Sequence, residues 1–217
     1  MAAPTDAPDR LRVRVALVGL LFLATVALTT SVHGLTELDT ALRQWMLAHR
    51  SSGLNTAATV VTTTGSSLVL APVAGVLALV LGLRGRRSDA LLVGVTALGA
   101  VVLGPLLKTV IERPRPPEDH LVVVNSFAYP SGHSLTSMAV LGVLTALAVR
   151  HLPAGPTRTA AVTAGTLLIT AVGISRVYLG VHWPTDVLAG WLVGAVWLGV
   201  CLLLFGRRTE TDGWPDP

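Results

Sequence analysis

Six long runs of apolar residues divide the chain, with short polar segments between them. The runs cover residues 13–32, 60–83, 90–110, 135–149, 160–174 and 187–205. A helix needs roughly 20 apolar residues to cross a bilayer, and open strands cannot cross lipid. The pattern therefore predicts an all-α integral membrane bundle of about six transmembrane helices. The fourth and fifth runs are shorter than a full span, so the apolar pattern does not fix where these helices begin and end.

Polar, proline-containing segments flank the six runs. We expect residues 1–9 and 209–217 to be disordered tails, which leaves one membrane domain at residues 10–208. The first run could instead be a signal peptide, because arginines precede it. It is long for a signal and no clear cleavage site follows it, so we expect six spans.

Three weaker patterns concern helix packing. Residues 36–50 place Leu38, Leu42, Trp45 and Met46 at helical spacing, which predicts a short amphipathic helix on the outer surface or, more simply, an ordinary connecting helix. The second run opens with "TAATVVTTTGSS", whose hydroxyl groups we expect to bond to other helices. The GxxxG formed by residues 190–194 is a weak indication of close helix packing.

Composition and charge support a membrane protein. The chain is 52% hydrophobic and 13% charged, whereas soluble domains carry about a quarter charged residues. If each run spans once, most cations fall on one side: Arg10, Arg12, Arg14, Arg84, Arg86, Arg87, Arg150, Arg158, Arg207 and Arg208. Positive residues mark the cytoplasmic side, so both termini are predicted to be cytoplasmic. The location of the cations matters more here than the net charge of +4, and the expected partner is the lipid bilayer, with no nucleic acid.

The remaining cations fall on the outer side: Arg43, Arg50, Lys108, Arg113, Arg115 and Arg176. Arg43 and Arg50 are interpreted as membrane-interface anchors. The other four break the charge rule and require a local reason, although Arg113 duplicates Arg115 and its role stays open. Four histidines are interpreted as ordinary hydrogen-bonding residues: His33, His49, His120 and His151.

Three polar segments are predicted to meet on the outer side. They are "KTVIERPRPPEDH" at 108–120, "PSGHS" at 130–134 and "SRVYLGVHWPTD" at 175–186. Arginine binds phosphate oxygens in a bidentate manner, and lysine acts as a point charge. Ser131 and Gly132 precede a predicted helix, whose free N–H groups favour an anion. The segments together predict a cradle for a compact, multiply charged oxyanion, at the extracytoplasmic face.

Two histidines add reactivity to this cradle. Asp186 lies four residues after His182, so its carboxylate could bind one ring nitrogen and leave the other free as a nucleophile. Neutral His182 could attack phosphorus while protonated His133 protonates the leaving oxygen. A metal site with His133, His182 and Asp186 as ligands is the alternative. The nearby cations would repel a divalent ion, which disfavours it. The one cysteine, Cys201, excludes disulfides within the chain.

The three segments resemble the type-2 phosphatidic acid phosphatase family of membrane lipid phosphatases. Lys108, Arg115 and Pro116 fit Lys-x6-Arg-Pro, residues 130–133 read Pro-Ser-Gly-His, and residues 175–186 fit Ser-Arg-x5-His-x3-Asp. The same motifs occur in soluble vanadium-dependent haloperoxidases. One motif alone is weak, but three in this order are specific, and the six-run layout extends the resemblance over nearly the whole chain.

The resemblance implies a role for each motif residue. His182 would form a phosphohistidine, Asp186 would orient it, and His133 would act as acid and then as base. The implied phosphate ligands are Lys108, Arg115, Ser131, Gly132 and Arg176. No metal or other cofactor is implied.

The expected substrate is a lipid phosphate, because the site lies where a head group can enter while the tail stays in the membrane. Polyprenyl diphosphate, phosphatidylglycerophosphate and phosphatidic acid are the candidates, with the first slightly favoured by analogy. A haloperoxidase and a non-catalytic lipid- or anion-binding protein are the alternatives. The oligomeric state stays open.

Overall fold

The computed structural model describes residues 6–31, 35–117 and 119–206, and within these ranges it contains helices and no strand. The helices are α1 (Asp6–Ser31), α2 (Thr36–Ala48), α3 (Ser52–Thr64), α4 (Ser67–Leu83), α5 (Arg87–Ile111), α6 (Gly132–His151), α7 (Pro156–Tyr178) and α8 (Pro184–Phe205). Helix α1 begins inside the predicted N-terminal tail. Residues 1–5 and 209–217, together with His33, Arg207 and Arg208, lie outside the described residues.

The prediction of six spans is confirmed. Six helical segments are long and apolar enough to cross a membrane, and the second, Ser52–Leu83, consists of α3 followed by α4. Helices α6 and α7 extend beyond the fourth and fifth apolar runs, because their polar ends continue the helical hydrogen bonding. Polar residues at these ends hid the true lengths from a count of apolar residues.

A glycine marks the break in the second span. Gly65 ends α3 and lies against Val172 of α7, where an added Cβ would approach Val172 Cγ1 to 2.3 Å. Ser66 then adopts an extended conformation and α4 begins at Ser67. The break lets the two halves follow different neighbours: α3 packs on α7, and α4 packs on α5.

The hydroxyl groups of the second run mostly do not bond to other helices, so that expectation is wrong for most of them. Four threonines donate to carbonyl groups of their own helix: Thr56, Thr59, Thr63 and Thr64. Two hydroxyls do cross between helices. Thr62 accepts from Arg176 Nη1 at 2.8 Å, and Ser67 Oγ lies 3.0 Å from Thr136 Oγ1. A hydroxyl group in this run bonds to another helix only where that helix presents a buried polar side chain to it.

Helix α2 packs its polar side onto the protein. Asp39 is fully buried and Arg43 is 8% exposed, whereas Leu38, Leu42 and Trp45 are 54%, 44% and 61% exposed. Helix α2 connects α1 to α3, and its exposed apolar side agrees with the prediction of a short amphipathic helix. The orientation fits a helix with lipid on its outer side and buried charges on its inner side.

The two arginines interpreted as membrane anchors instead bind the protein. Arg43 Nη2 donates to Pro117 O at 3.3 Å. Arg50 donates to Tyr178 O through Nε and Nη2, at 3.0 and 2.8 Å, and to Asp119 O at 2.9 Å. Their long side chains therefore tie the first outer segment to the loops that follow α5 and α7.

Small residues let α8 approach α6 closely, as the GxxxG indicated. An added Cβ on Gly190 would lie 2.6 Å from Ser131 O, and one on Gly194 would lie 2.7 Å from Leu135 O. In addition, Ser131 N–H donates to Asp186 O at 2.9 Å. The first turns of α6 and α8 are thus held side by side, which brings the segments that begin these helices together.

The opposite end of the bundle carries its own charge cluster. Asp89, which is 5% exposed, accepts from Arg86 at 2.7 Å and from Arg150 at 3.0 Å. His151 Nε2 lies 3.0 Å from the same carboxylate, and Ser88 Oγ donates to Phe205 O. The start of α5 is therefore joined to the ends of α6 and α8.

We predict that Gly190→Ala lowers the thermal unfolding midpoint in detergent. The new methyl group would meet backbone atoms of α6 that cannot move aside, and overpacking of this kind costs about 1–3 kcal/mol. Gly75→Ala is the control, since no atom lies within 4 Å of its added Cβ on the exposed side of α4. Equal midpoints for the two variants would contradict the close contact between α6 and α8.

Candidate active site

The three polar segments meet at one end of the bundle. The end of α5, the start of α6 and the loop after α5 surround a cavity of about 810 Å³. Four residues predicted to form the site line this cavity: Lys108, Arg115, Gly132 and His133. The other four lie buried behind them: Ser131, Arg176, His182 and Asp186.

His182 and Asp186 form a buried pair where α8 begins. Pro184 occupies the first helical position, so the chain turns sharply and Asp186 falls in the first turn. Asp186 Oδ2 accepts from the Trp183 N–H at 2.9 Å and lies 3.3 Å from His182 Nδ1. His182 is 1% exposed and Asp186 is fully buried. The carboxylate therefore orients the imidazole from the protein side.

The other ring nitrogen of His182 points toward a cation. Arg115 Nη1 donates to His182 Nε2 at 3.2 Å, so Nε2 acts as an acceptor and the proton is assigned to Nδ1. Burial, together with the positive charges of Arg176, Arg115 and Lys108, holds the pKa of His182 well below its usual value. His182 is thus a neutral imidazole at neutral pH, with a lone pair directed at the cationic side of the site.

Backbone carbonyls hold two of the cations in place. Arg115 donates to Ser126 O at 2.6 Å and to Val181 O at 2.5 Å. Lys108 Nζ donates to the carbonyls of Phe127 and Ala128. The loops after α5 and after α7 therefore supply acceptors that keep both charges beside the cavity.

Arg176 reaches the site from α7. Its Nη1 binds Thr62, while its Nε is buried and has no hydrogen-bond partner among the described residues. A buried donor without an acceptor costs free energy unless a ligand supplies one. An oxyanion bound within reach of this nitrogen would supply that acceptor.

The start of α6 contributes N–H groups. Ser131 caps the helix: its Oγ accepts from Ser134 N, and its own N–H is used by Asp186 O. The next two N–H groups, of Gly132 and His133, have no acceptor within the helix and belong to residues that line the cavity. Lys108 Cε lies 4.0 Å from where a Cβ of Gly132 would stand, so Lys108 and the helix start face each other.

Two residues that the sequence did not assign complete the buried end of the site. Arg113, 6% exposed, donates to Asp186 Oδ1 at 2.5 Å and to Asp39 Oδ2 at 2.7 Å. Asp39 also accepts from the N–H and the hydroxyl of Thr185, at 2.9 and 2.5 Å. Arg113 therefore contacts the Asp186 carboxylate and does not line the cavity, unlike Arg115.

The described residues contain no cluster of three or more His, Cys, Asp or Glu that could hold a metal ion. Both nitrogens of His182 are directed at protein groups, one at a carboxylate and one at a guanidinium. The groups nearest His182 Nε2 are therefore positively charged.

Comparison with known proteins identifies the family. The model of the PAP2 superfamily matches residues 89–210, more than half of the chain. The chain belongs to the PAP2 superfamily. This confirms the resemblance carried by the three motifs and the expectation of a multi-pass membrane enzyme that hydrolyses phosphate esters.

Individual relatives agree with the assignment of this PAP2 protein. Phosphatidylglycerophosphatase B of Bacillus subtilis is 34% identical over 178 residues, which cover 80% of this chain and 87% of the relative. The undecaprenyl-diphosphatase of Sulfolobus acidocaldarius is 33% identical over 55% of this chain and 57% of its own. The crystal structure of a transmembrane PAP2-type phosphatidylglycerolphosphate phosphatase from Bacillus subtilis has a TM-score of 0.79 at 30% identity, covering 90% of this chain and 98% of that one.

We predict that the site binds inorganic phosphate and that Arg176→Ala weakens this binding by about tenfold to a hundredfold. A hydrogen bond to a charged group contributes about 1.5–3 kcal/mol, and Arg176 has a free buried donor. Calorimetric titration in detergent measures the affinity, with Arg158→Ala at the opposite end of the bundle as the control. Equal affinity for both variants would contradict the placement of Arg176 in the anion site.

Proposed function

We propose that the protein hydrolyses a lipid phosphate through a phosphohistidine formed on His182. The observation that carries the proposal is the geometry of His182: Nδ1 faces the buried carboxylate of Asp186, and Nε2 carries a lone pair beside Arg115. A neutral imidazole fixed in one tautomer, with its unprotonated nitrogen beside cations that can bind the phosphate, is suited to attack an electrophilic phosphorus.

The reaction has two displacements. In the first, His182 Nε2 forms a bond to phosphorus while the bond from phosphorus to the lipid oxygen breaks. That oxygen takes a proton from His133, which lines the cavity. In the second, water attacks phosphorus, His133 takes a proton from it, and the bond to Nε2 breaks. Inorganic phosphate leaves, and both histidines return to their starting protonation states.

Fixed positive groups stabilise the charge on the transferred phosphoryl group. Lys108, Arg115 and Arg176 surround it, and the N–H groups at the start of α6 face the same cavity. Ser131 acts through its position as the cap of α6. Charge stabilisation by groups already held in place needs no reorganisation during the reaction, and these cations supply it without a metal ion.

The cavity has an apolar side suited to a lipid. It continues from Lys108 along α5, past Gly104, Pro105, Val101 and Ala100. A head group beside Lys108 and Arg115 could therefore leave its tail along the membrane-spanning part of α5. This continuity favours a lipid phosphate over a small soluble phosphate ester.

Phosphatidylglycerophosphate is our first candidate substrate. One relative that matches 80% of this chain by sequence, and one solved structure that covers 90% of it, are named for that lipid. The undecaprenyl-diphosphatase matches a smaller share. Polyprenyl diphosphate, favoured slightly by the sequence alone, is the second candidate.

We infer that the site lies on the extracytoplasmic side. The end of the bundle opposite the site carries Arg84, Arg86, Arg87, Arg150 and Arg158, and positive residues mark the cytoplasm. Both termini would then be cytoplasmic.

The test is phosphate release by purified protein in detergent with excess chelator. We expect release from phosphatidylglycerophosphate that exceeds release from a polyprenyl diphosphate and from phosphatidic acid. His182→Ala should reduce the rate by roughly a thousandfold or more, because no other group replaces the nucleophile. His151→Ala is the control, since His151 lies at the other end of the bundle. Release that persists in His182→Ala, or that requires restored divalent metal, would refute the mechanism.

A further inference from the structure

A chain of alternating charges runs from α2 to the nucleophile. Asp39 accepts from Arg113 Nη2 at 2.7 Å, Arg113 Nη1 donates to Asp186 Oδ1 at 2.5 Å, and Asp186 Oδ2 lies 3.3 Å from His182 Nδ1. The side chains of Asp39 and Asp186 are fully buried and that of Arg113 is 7% exposed. Neither Asp39 nor Arg113 lines the cavity.

We propose that Asp39 and Arg113 are positioning residues, which fix the orientation and the charge of Asp186 and through it the reactivity of His182. The inference rests on the proposed function, because it assigns a role in the same reaction. It connects α2, which lies outside the six candidate spans, to the active site through Arg113 and Asp186.

The orientation argument concerns the two oxygens of Asp186. Oδ1 is held by Arg113, and Oδ2 is shared by the Trp183 N–H and His182. A carboxylate can rotate about its terminal bond, and a bond to one oxygen alone does not stop that rotation. Because Arg113 holds the second oxygen, Oδ2 stays directed at His182.

Arg113 is itself held from the other side. Its Nη2 binds Asp39 and its Nη1 also donates to Thr185 Oγ1 at 2.8 Å. Asp39 Oδ1 accepts the Thr185 N–H, so Asp39 also fixes the start of α8. A planar guanidinium spans two carboxylates with separate nitrogens, which a lysine ammonium cannot do with the same geometry.

The charge argument concerns every group around His182. Asp186 faces it from α8, Arg115 from the loop after α5, Lys108 from α5, His133 from α6 and Arg176 from α7. Arg113 and Asp39 lie one and two contacts behind Asp186. Arg113 offsets part of the negative charge that Asp186 presents to His182, and Asp39 offsets part of the charge of Arg113. Removing either one should therefore move the pKa of His182, in opposite directions.

The test compares the pH dependence of kcat/KM for three variants. Arg113→Gln removes a positive charge, so the pKa of His182 rises and the acid limb moves to higher pH, by roughly one unit. Asp39→Asn removes a negative charge while it keeps an acceptor for Thr185, so the limb moves to lower pH by a smaller amount. Arg113→Lys keeps the charge but loses one carboxylate contact, so the limb stays while kcat falls. KM should change little in all three, since neither residue touches the substrate.

The matched control is Asp89→Asn. Asp89 is also a buried aspartate bound by arginines, but it lies at the opposite end of the bundle, so its variant loses stability without a change in the pH profile. Profiles for Asp39→Asn and Arg113→Gln that coincide with that of the wild type would overturn the inference, as would shifts of both in one direction. If Arg113→Gln does not fold, the shift in Asp39→Asn decides the question alone.

The wild type and His182→Ala are assayed beside these variants. Suppose that the wild type is active, His182→Ala is inactive, and the pH profile of Asp39→Asn coincides with that of the wild type. This result would refute the positioning role and leave the proposed function standing. A wild type without phosphate release, or an active His182→Ala, would refute the proposed function itself. The two failures are therefore distinguishable.

Discussion

A carboxylate buried at the end of an apolar bundle has to be compensated, and the compensation of Asp186 organises the site. Its oxygens bind Arg113, the Trp183 N–H and His182, and its backbone carbonyl accepts the N–H of Ser131. An isolated buried charge would cost many kcal/mol. The contacts to the side chain stabilise the carboxylate and place the elements that supply them, and the backbone contact places the start of α6.

Those contacts explain why the site has its shape. Through Asp186, α8 is tied to the start of α6, to the loop after α5 and, by way of Arg113 and Asp39, to α2. These buried contacts place the helices and loops that carry the residues facing the cavity. Lys108 and Arg115 are held in addition by carbonyl groups of the loop after α5. The polar side of α2 faces inward because Asp39 pairs with Arg113. The apolar side of α2 consequently faces outward.

The parts of this arrangement that sequence reasoning could predict are those with a local signal. Apolar runs of membrane-spanning length predicted the spans, and the four-residue spacing of His182 and Asp186 near a helix start predicted their pairing. The break at Gly65 and the inward face of α2 had no such signal, since both depend on what packs against them. Asp39 is 147 residues from Asp186 along the chain, and only the folded bundle brings them together. Arg113 and Arg115 are two positions apart, and their spacing does not show which of them faces the cavity. Their partners do: Arg113 binds buried carboxylates, whereas Arg115 lines the cavity.

The central claim is that His182 carries the phosphoryl group between two displacements, and the stereochemical course at phosphorus tests it most directly. The substrate would be a lipid thiophosphate made chiral at phosphorus with oxygen isotopes, hydrolysed in isotopically labelled water. Each in-line displacement inverts the configuration, so a covalent intermediate on His182 predicts net retention. Net inversion would mean that water attacks the lipid phosphate directly, and it would contradict the account of His182 as the nucleophile.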